Sequence, residues 1–123
     1  MRVILCFLIA LAAAPAWAEW VSMSENDDPA TYVDPATVRK DGNLRRAWMV
    51  QDLKQKGKNG EMSRRTLVEY DCKEERSRPI SYSLHTEPKS GGQMLLTNDY
   101  YGRWTAIVSG TDGAFALYFV CTR

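Results

Sequence analysis

The sequence has little of the chemistry that most enzymes use. Of its 123 residues only one is histidine and three are cysteine, and it has no glycine-rich phosphate-binding loop. A nucleophilic triad or dyad would have to use His85, which we place on the outward, polar side of a strand. The carboxylate pairs Asp27, Asp28 and Glu74, Glu75 lie in turns and charge runs typical of a solvated surface, without calcium-loop spacing. We therefore predict a non-enzymatic protein with no metal or cofactor.

An excess of charge of one sign is also missing. Sixteen Lys and Arg residues stand against fifteen Asp and Glu residues, which gives a formal net charge of +1. A nucleic-acid-binding protein needs surplus cations to neutralise phosphates, so this class is not expected. At 45% hydrophobic residues the chain is too apolar for intrinsic disorder, and its length suits one domain.

Long apolar runs are absent except at the N-terminus. Residues 3–14 form an uninterrupted apolar stretch after Arg2, and Ala16-Trp17-Ala18 has the small-x-small pattern of a signal-peptidase site. The stretch is shorter than the roughly 20 residues that span a membrane. We predict a cleaved signal peptide over residues 1–18 and a single exported domain over 19–123, with no transmembrane segment in the mature chain; an uncleaved anchor is the alternative.

Export leaves two cysteines, Cys72 and Cys121, because Cys6 lies within the signal. An even pair in a small secreted domain predicts a disulfide, since the compartment oxidises thiols and a small core needs reinforcement. Closing a loop of about 50 residues stabilises such a domain by roughly 4 kcal/mol.

Alternating apolar and polar residues predict a largely β-structure. The predicted strands cover residues 19–24, 31–34, 44–53, 62–72, 80–85, 93–97 and 104–108. Residues 73–78 are interpreted as a charged connection between strands. In the strand after it, Ile80, Tyr82 and Leu84 are predicted to face inward, with His85 on the outward side.

The C-terminal segment changes to a helical period. Thr111 can cap a helix through residues 114–121, in which Phe115 and Phe119 are spaced i, i+4. A strand is the rival interpretation, because Tyr, Phe and Val favour strands. The predicted fold is α+β: an antiparallel sheet of about five to six strands with a C-terminal helix packed on it, joined by the Cys72–Cys121 disulfide.

Several motifs resemble the surface-adhesin protein E family, small exported proteins of Gram-negative bacteria. They span the mature chain: Ala-Trp-Ala-Glu-Trp-Val at 16–21, Tyr-Val-Asp-Pro-Ala-Thr-Val-Arg at 32–39 with Gly42, Trp48, Glu-Tyr-Asp-Cys at 69–72, Arg-Ser-Arg at 76–78, Trp104, and Phe-Val-Cys-Thr-Arg at 119–123.

This resemblance implies a six-stranded antiparallel sheet backed by a C-terminal helix, with a disulfide between strand and helix. It also implies an adhesin-like role, since the family takes its name from an outer-membrane adhesin that binds host matrix and plasma proteins. The prototype is lipid-anchored, whereas Cys6 does not stand at the cleavage point here. We therefore expect a periplasmic location more than display on the outer surface.

Basic residues cluster on two neighbouring strands and the loop that joins them. The candidate ligand-binding residues are Arg45, Arg46, Lys54, Lys56, Lys58, Arg64 and Arg65. A hairpin of residues 44–53 and 62–72 would place them along one ribbon, which could contact a sulfated glycan, lipopolysaccharide phosphates or a host matrix protein. The alternative is that they only solubilise an exposed edge. Tyr100 and Tyr101 are a second candidate contact.

Two other functions fit the sequence. A periplasmic inhibitor would insert a rigid loop into a hydrolase, and residues 54–60 and 87–92 are its candidate loops. An envelope protein with a structural or assembly role would dimerise through an exposed strand edge.

Overall fold

A computed structural model describes residues 19–24 and 29–123. The predicted signal peptide and the acidic turn at residues 26–28 lie outside these ranges. The strands are β1 (Val21–Ser22), β2 (Ala30–Val33), β3 (Arg39–Asp41), β4 (Leu44–Asp52), β5 (Ser63–Asp71), β6 (Arg76–His85), β7 (Met94–Asp99) and β8 (Thr105–Ala106). A 3-10 turn (Pro35–Thr37) precedes β3, and helix α1 (Asp112–Cys121) ends the chain.

The strands form one antiparallel sheet that is six strands wide. Its order is β1-β2-β4-β5-β6-β7, while β3 and β8 pair with the free lengths of β4 and β6. β2 and β3 pair with opposite ends of β4, so they share one position in the sheet. The α+β prediction is confirmed. The described residues form eight strands where about five to six were predicted; β3 has three residues and is too short to show alternation, whereas β8 lies within the predicted strand 104–108.

The helix packs on one face of the sheet and forms the main core there. Ala116 and Val120 of α1 are buried in one cluster with Ala47 of β4 and Tyr70 of β5. We call this side of the sheet the helix face. The opposite side, which carries Trp48, is called the outer face.

A cap and a disulfide fix the ends of α1. The Thr111 side chain accepts a hydrogen bond from the Ala114 backbone N–H at the first turn. At the other end Cys121 is bonded to Cys72, with 5.9 Å between their Cα atoms. The predicted helix and disulfide are therefore both confirmed, and the rival strand is wrong.

The connection between β6 and β7 folds back over one end of the outer face. Ser63 Oγ donates to the Glu87 carbonyl at 2.6 Å, and the Ser90 N–H donates to Ser63 Oγ at 3.0 Å. The Lys89 N–H donates to Asp52 Oδ1 at 2.7 Å. These hydrogen bonds hold the loop against the end of the sheet, while Glu87, Pro88 and Lys89 remain exposed.

Two predictions about β6 are wrong. The strand begins at Arg76, within the predicted charged connection, because β5 carries carboxylates that pair with its arginines. His85 is not outward in solvent: it is 8% exposed, and its Nε2 lies 2.8 Å from Ser83 Oγ. Burial, and then the charge of Arg65, lower the pKa of His85. Ile80 is buried, as predicted.

Candidate functional site

An ion-pair ladder crosses three strands at the uncovered end of the outer face. The register places Arg46 of β4 and Arg78 of β6 on either side of Glu69 on β5. Arg46 Nε donates to Glu69 Oε2 at 2.8 Å, and Arg78 Nη2 donates to Glu69 Oε1 at 2.7 Å. Glu69 is only 2% exposed, and each of its two carboxylate oxygens accepts a hydrogen bond from a guanidinium group of the protein.

The arginines keep this buried carboxylate ionised. Burial raises the pKa of Glu69, but hydrogen bonds from Arg46 and Arg78 outweigh it, so the net pKa lies below the usual value. The hydrogen bond with Glu69 in turn raises the pKa of Arg46. The ladder therefore carries one negative and two positive charges at neutral pH.

Two aromatic rings extend the ladder. The guanidinium carbons of Arg76 and Arg78 lie 4.7 and 4.5 Å from the Trp104 ring centroid. Arg78 also lies 5.1 Å from the ring centroid of Tyr101, which is 63% exposed. These distances are typical of cation–π contacts. We call this surface the arginine–aromatic face; its members are Arg46, Glu69, Arg76, Arg78, Tyr101 and Trp104.

The segment after β7 brings the two rings to this position. The Tyr100 N–H donates to the Ile80 carbonyl at 3.1 Å, and the Gly102 N–H donates to the Pro79 carbonyl at 2.8 Å. A Cβ at Gly102 would lie 2.7 Å from the Pro79 ring, which is too close for any other residue without movement. Gly102 therefore allows the segment to run against β6.

Asp71 holds Arg76 at the edge of the same face. Arg76 Nε donates to Asp71 Oδ2 at 3.0 Å. The Asp71 carboxylate also accepts backbone hydrogen bonds from Glu74 and Lys73, and the Glu74 bond is the largest cause of its lowered pKa. Arg76 therefore stays paired with an ionised carboxylate while its guanidinium contacts Trp104.

The predicted basic hairpin forms, with β4 and β5 paired over nine residues each. Its cations nevertheless divide between the two sides of the sheet. Arg46 and Arg65 point to the outer face, whereas Arg45 and Arg64 point to the helix face. The lysines Lys54, Lys56 and Lys58 are exposed in the connecting loop at the far end of the hairpin. The structure thus places the seven cations on one hairpin but not on one surface.

The hairpin arginines pack against other groups. Arg64 lies 4.4 Å from the Tyr82 ring centroid, and Arg65 lies 4.0 Å from that of Trp48. Burial lowers the pKa of Arg65, against the opposing charge of Asp34. These stacked side chains stiffen the hairpin on both faces.

Sequence reasoning missed most of the arginine–aromatic face. It named Arg46 and Tyr101, but it assigned residues 76–78 to a connection. The available signal was the charge pattern, since Glu69-x-Asp71 and Arg76-x-Arg78 have matching two-residue spacing and opposite charge across a short turn.

The described ranges hold no group of three His, Cys, Asp or Glu residues placed to bind a metal ion. Nor does any helix within residues 19–24 and 29–123 have the length and apolar character needed to cross a membrane.

Comparison with known proteins gives a family and a fold. The family model described as Surface-adhesin protein E matches residues 20–122. This chain belongs to the surface-adhesin protein E family. The resemblance stated from its motifs is therefore confirmed, and the family places the chain among surface adhesins.

Solved structures of Haemophilus influenzae protein E share the fold of this chain. The selenomethionine form of Haemophilus influenzae protein E matches with a TM-score of 0.73 and 13% identity, covering 88% of this chain and 89% of that chain. A second crystal form of Haemophilus influenzae protein E gives a TM-score of 0.71 at 13% identity, covering 87% of this chain and 90% of that one. No curated protein matches the chain.

Proposed function

We propose that the chain is an exported, non-enzymatic adhesin that contacts host matrix proteins through its arginine–aromatic face. The observation that carries this proposal is the composition of that face, where Trp104 and Tyr101 are held against Arg76 and Arg78. Trp, Tyr and Arg are the residues most enriched among the energetic centres of protein interfaces. Family membership supports the adhesin role.

The side chains of the face are already ordered in the unbound protein. Arg46 and Arg78 are hydrogen-bonded to Glu69, and Arg76 is hydrogen-bonded to Asp71. A partner therefore gains contacts without the entropic cost of fixing these long side chains. The half-exposed guanidiniums keep donors for carboxylates of the partner.

The hairpin cations provide a second element of the same proposal. Arg46 and Arg65 share the outer face with the aromatic rings, and Lys56 and Lys58 extend the positive charge into the connecting loop. Their field would attract a sulfated glycan and speed its encounter with the protein. The part of the proposal that the chain is exported rests on the predicted signal peptide at residues 1–18.

Binding of residues 19–123 to a panel of immobilised, purified extracellular-matrix proteins tests the proposal. Tyr101→Ala should weaken binding about tenfold or more, because it removes an exposed contact of the kind that dominates interfaces. Tyr118→Ala is the matched control, since Tyr118 is 71% exposed on α1. Absence of binding to every matrix protein, or equal effects of both variants, would contradict the proposal.

A role in envelope assembly is the second candidate function, and β7 favours it. This six-residue strand is the sheet's outermost strand and is exposed throughout. Met94, Leu95 and Leu96 make its first half apolar, and its one charged residue is Asp99 at its end, so β7 lacks the lysines or prolines that commonly protect edges.

A further inference from the structure

The helix face carries an open groove beside the first turn of α1. A row of side chains crosses five strands there, and the register aligns its members one after another: Thr31, Gln51, Arg64, Leu84 and Leu96. Side chains alternate along a strand, so Gln51 lies on the same side of the sheet as Ala47, which packs against α1.

Two adjoining cavities form this groove. They have volumes of about 390 and 380 Å³ and share Gln51 and Arg64 as lining residues. The first extends to Asp112 and Gly113 of α1, and the second extends to Leu96 of β7. Each volume lies in the range of roughly 300–1,000 Å³ that small-molecule sites occupy. We call the two cavities together the helix-face groove.

Arg64, which lines both cavities, is an unpaired cation. Arg64 is exposed, and its guanidinium carbon lies 4.4 Å from the Tyr82 ring centroid. The carboxylates of its own strand, Glu69 and Asp71, lie on the outer face and are bound by other arginines. Stacking on the ring therefore positions the guanidinium plane while its N–H donors stay available for a carboxylate.

Two carboxylates at the ends of the groove do not neutralise Arg64. Glu61 accepts a hydrogen bond from the Asn59 N–H at 2.9 Å, and its side chain lies over Gly57 of the same loop. Asp112 is in the first turn of α1, where the helix dipole favours a negative charge. In the part of the chain that the structure describes, neither makes an ion pair with Arg64. The groove thus has an unpaired guanidinium without a broad excess of positive charge, which suits a ligand with a single carboxylate better than a polyanion.

Neutral polar side chains also line the groove. Thr31, Gln51, Thr66 and Ser77 border the first cavity, and their side chains make no hydrogen bond to any residue that the structure describes. Hydroxyl and amide groups both donate and accept hydrogen bonds, so these four side chains match the hydroxyl groups of a sugar ring.

A peptide is a poorer match for the groove. Its floor is the middle of the sheet, where the backbone groups of β4, β5 and β6 are already paired with each other. A bound peptide would gain no ladder hydrogen bonds there, because strand addition requires a free edge. Met49, Leu84 and Leu96 are interspersed with polar side chains. They offer contacts for the C–H groups of a sugar but no continuous apolar stripe for a partner helix.

We propose that the helix-face groove binds an acidic sugar, a uronic or sialic acid unit of a short oligosaccharide, with its carboxylate on Arg64. Both sugar classes share a pyranose ring that carries one carboxylate, and a guanidinium group matches a carboxylate with two parallel hydrogen bonds. This inference goes beyond the adhesion proposed above, because the groove and the arginine–aromatic face lie on opposite sides of the sheet.

Calorimetric titration of residues 19–123 with sialyllactose and with an unsulfated hyaluronan tetrasaccharide tests the groove, and the tighter probe identifies the source of the acid. The counterparts without the carboxylate are lactose and the carboxyl-reduced tetrasaccharide. The counterpart of the tighter probe should bind about tenfold more weakly, because it leaves the guanidinium without its charged partner. Absence of binding by both acidic probes, or equal affinity for the acidic and neutral forms, would overturn the proposal.

Arg64→Gln should remove the preference for the acidic form, and Thr66→Val should weaken binding of both forms. Arg64 is exposed, so its variant should keep the wild-type melting temperature. Arg39→Gln is the matched control, since Arg39 is an exposed arginine paired in the ladder with Arg46 of the outer face. Equal weakening by Arg64→Gln and Arg39→Gln would show diffuse charge attraction and overturn the groove.

Chemical-shift mapping locates the ligand. With the tighter acidic sugar, the amide signals of Gln51, Thr66 and Leu84 should move, whereas that of Trp104 should not. Movement confined to the outer face would overturn the groove. A peptide of three glutamates, which carries carboxylates without sugar hydroxyls, should bind about tenfold more weakly than the sugar. Equal binding of this peptide would show that the site recognises carboxylates alone and would overturn the assignment to a sugar.

Discussion

At the scale of single residues, the outer face is organised by one buried acid. Glu69 lies between two arginines that are themselves in contact with aromatic rings or solvent. If the carboxylate were absent, Arg46 and Arg78 would be two neighbouring cations without a shared partner. The arrangement of the proposed binding surface therefore depends on the charge of one side chain.

Glu69→Gln should destabilise the fold by about 2 kcal/mol at neutral pH, because it leaves two arginines without their carboxylate. The folded-state pKa of Glu69 lies below the unfolded value of about 4.3. Its contribution is therefore fully present above that pH and is lost as the pH falls through the folded-state pKa. The difference in the free energy of unfolding between wild type and Glu69→Gln should therefore become smaller as the pH falls into the acid range.

Urea denaturation of both proteins from pH 7 to pH 3 measures this gap. Glu74→Gln, which changes an exposed carboxylate, is the control and should give a small gap at every pH. Parallel stability curves for wild type and Glu69→Gln down to pH 3 would show that the ladder does not stabilise the fold through its charge.

At the scale of secondary-structure elements, α1 depends on its attachments. It has ten residues, a length at which an isolated helix is marginal in water. Ala116 and Val120 are its fully buried contacts, and the disulfide ties its last residue to the turn after β5. Packing and the covalent link therefore hold the helix more than its own propensity does.

Replacing Cys72 and Cys121 with serine should cost about 4 kcal/mol, since the bridge closes a loop with a sequence separation of 49 residues. Loss of order should begin in α1, which would lose protection from amide hydrogen exchange before β5 does. Hydrogen exchange with mass spectrometry on oxidised wild type and the double variant checks this. Equal protection of α1 in both proteins would show that packing alone holds the helix.

The elements also show what a sequence can and cannot predict. β4, β5 and α1 were predictable because each has a long, regular pattern, and the disulfide followed from the number of cysteines. The loop after β6 was not, because Lys89 and Ser90 adopt positive φ values that their residue types do not signal. The burial of His85 was missed with it, since that loop is bonded to Ser63 opposite His85.

The binding surface was harder to predict than the fold for a physical reason. Trp104 and Tyr101 are far in sequence from Arg76 and Arg78 of β6 and reach them through a close approach of Gly102 to Pro79. The basic hairpin was found, but side-chain alternation sends Arg45 and Arg46 to opposite faces. The sequence is enough to identify the basic residues, but the pairing of the strands decides which of them lie on the same face.

At the scale of the whole molecule, the two sides and two edges of the sheet are unequal. α1 covers part of the helix face, and the loop after β6 covers one end of the outer face, which leaves the arginine–aromatic face accessible. At the edges, β1 has two residues whereas β7 has six. Partners are therefore expected on the outer face, and a second copy at β7.

Antiparallel pairing of two copies through β7 can be matched to its sequence. Centred on Leu95, the pairing sets Met94 of one copy opposite Leu96 of the other, and Gln93 opposite Thr97, so apolar meets apolar and polar meets polar. Sedimentation of residues 19–123 should then show a concentration-dependent dimer. Leu95→Lys should shift it to monomer, because two lysines would meet at the symmetry axis.

Leu95 is itself exposed, so the variant should retain its melting temperature and isolate the edge from the fold. Phe115→Lys, which changes an exposed residue of α1, is the matched control and should leave the dimer intact. A dimer that survives Leu95→Lys but dissociates in Phe115→Lys would place self-association on the helix. A wild-type monomer at all concentrations would exclude pairing through β7 and favour the outer face as the protein's site of contact.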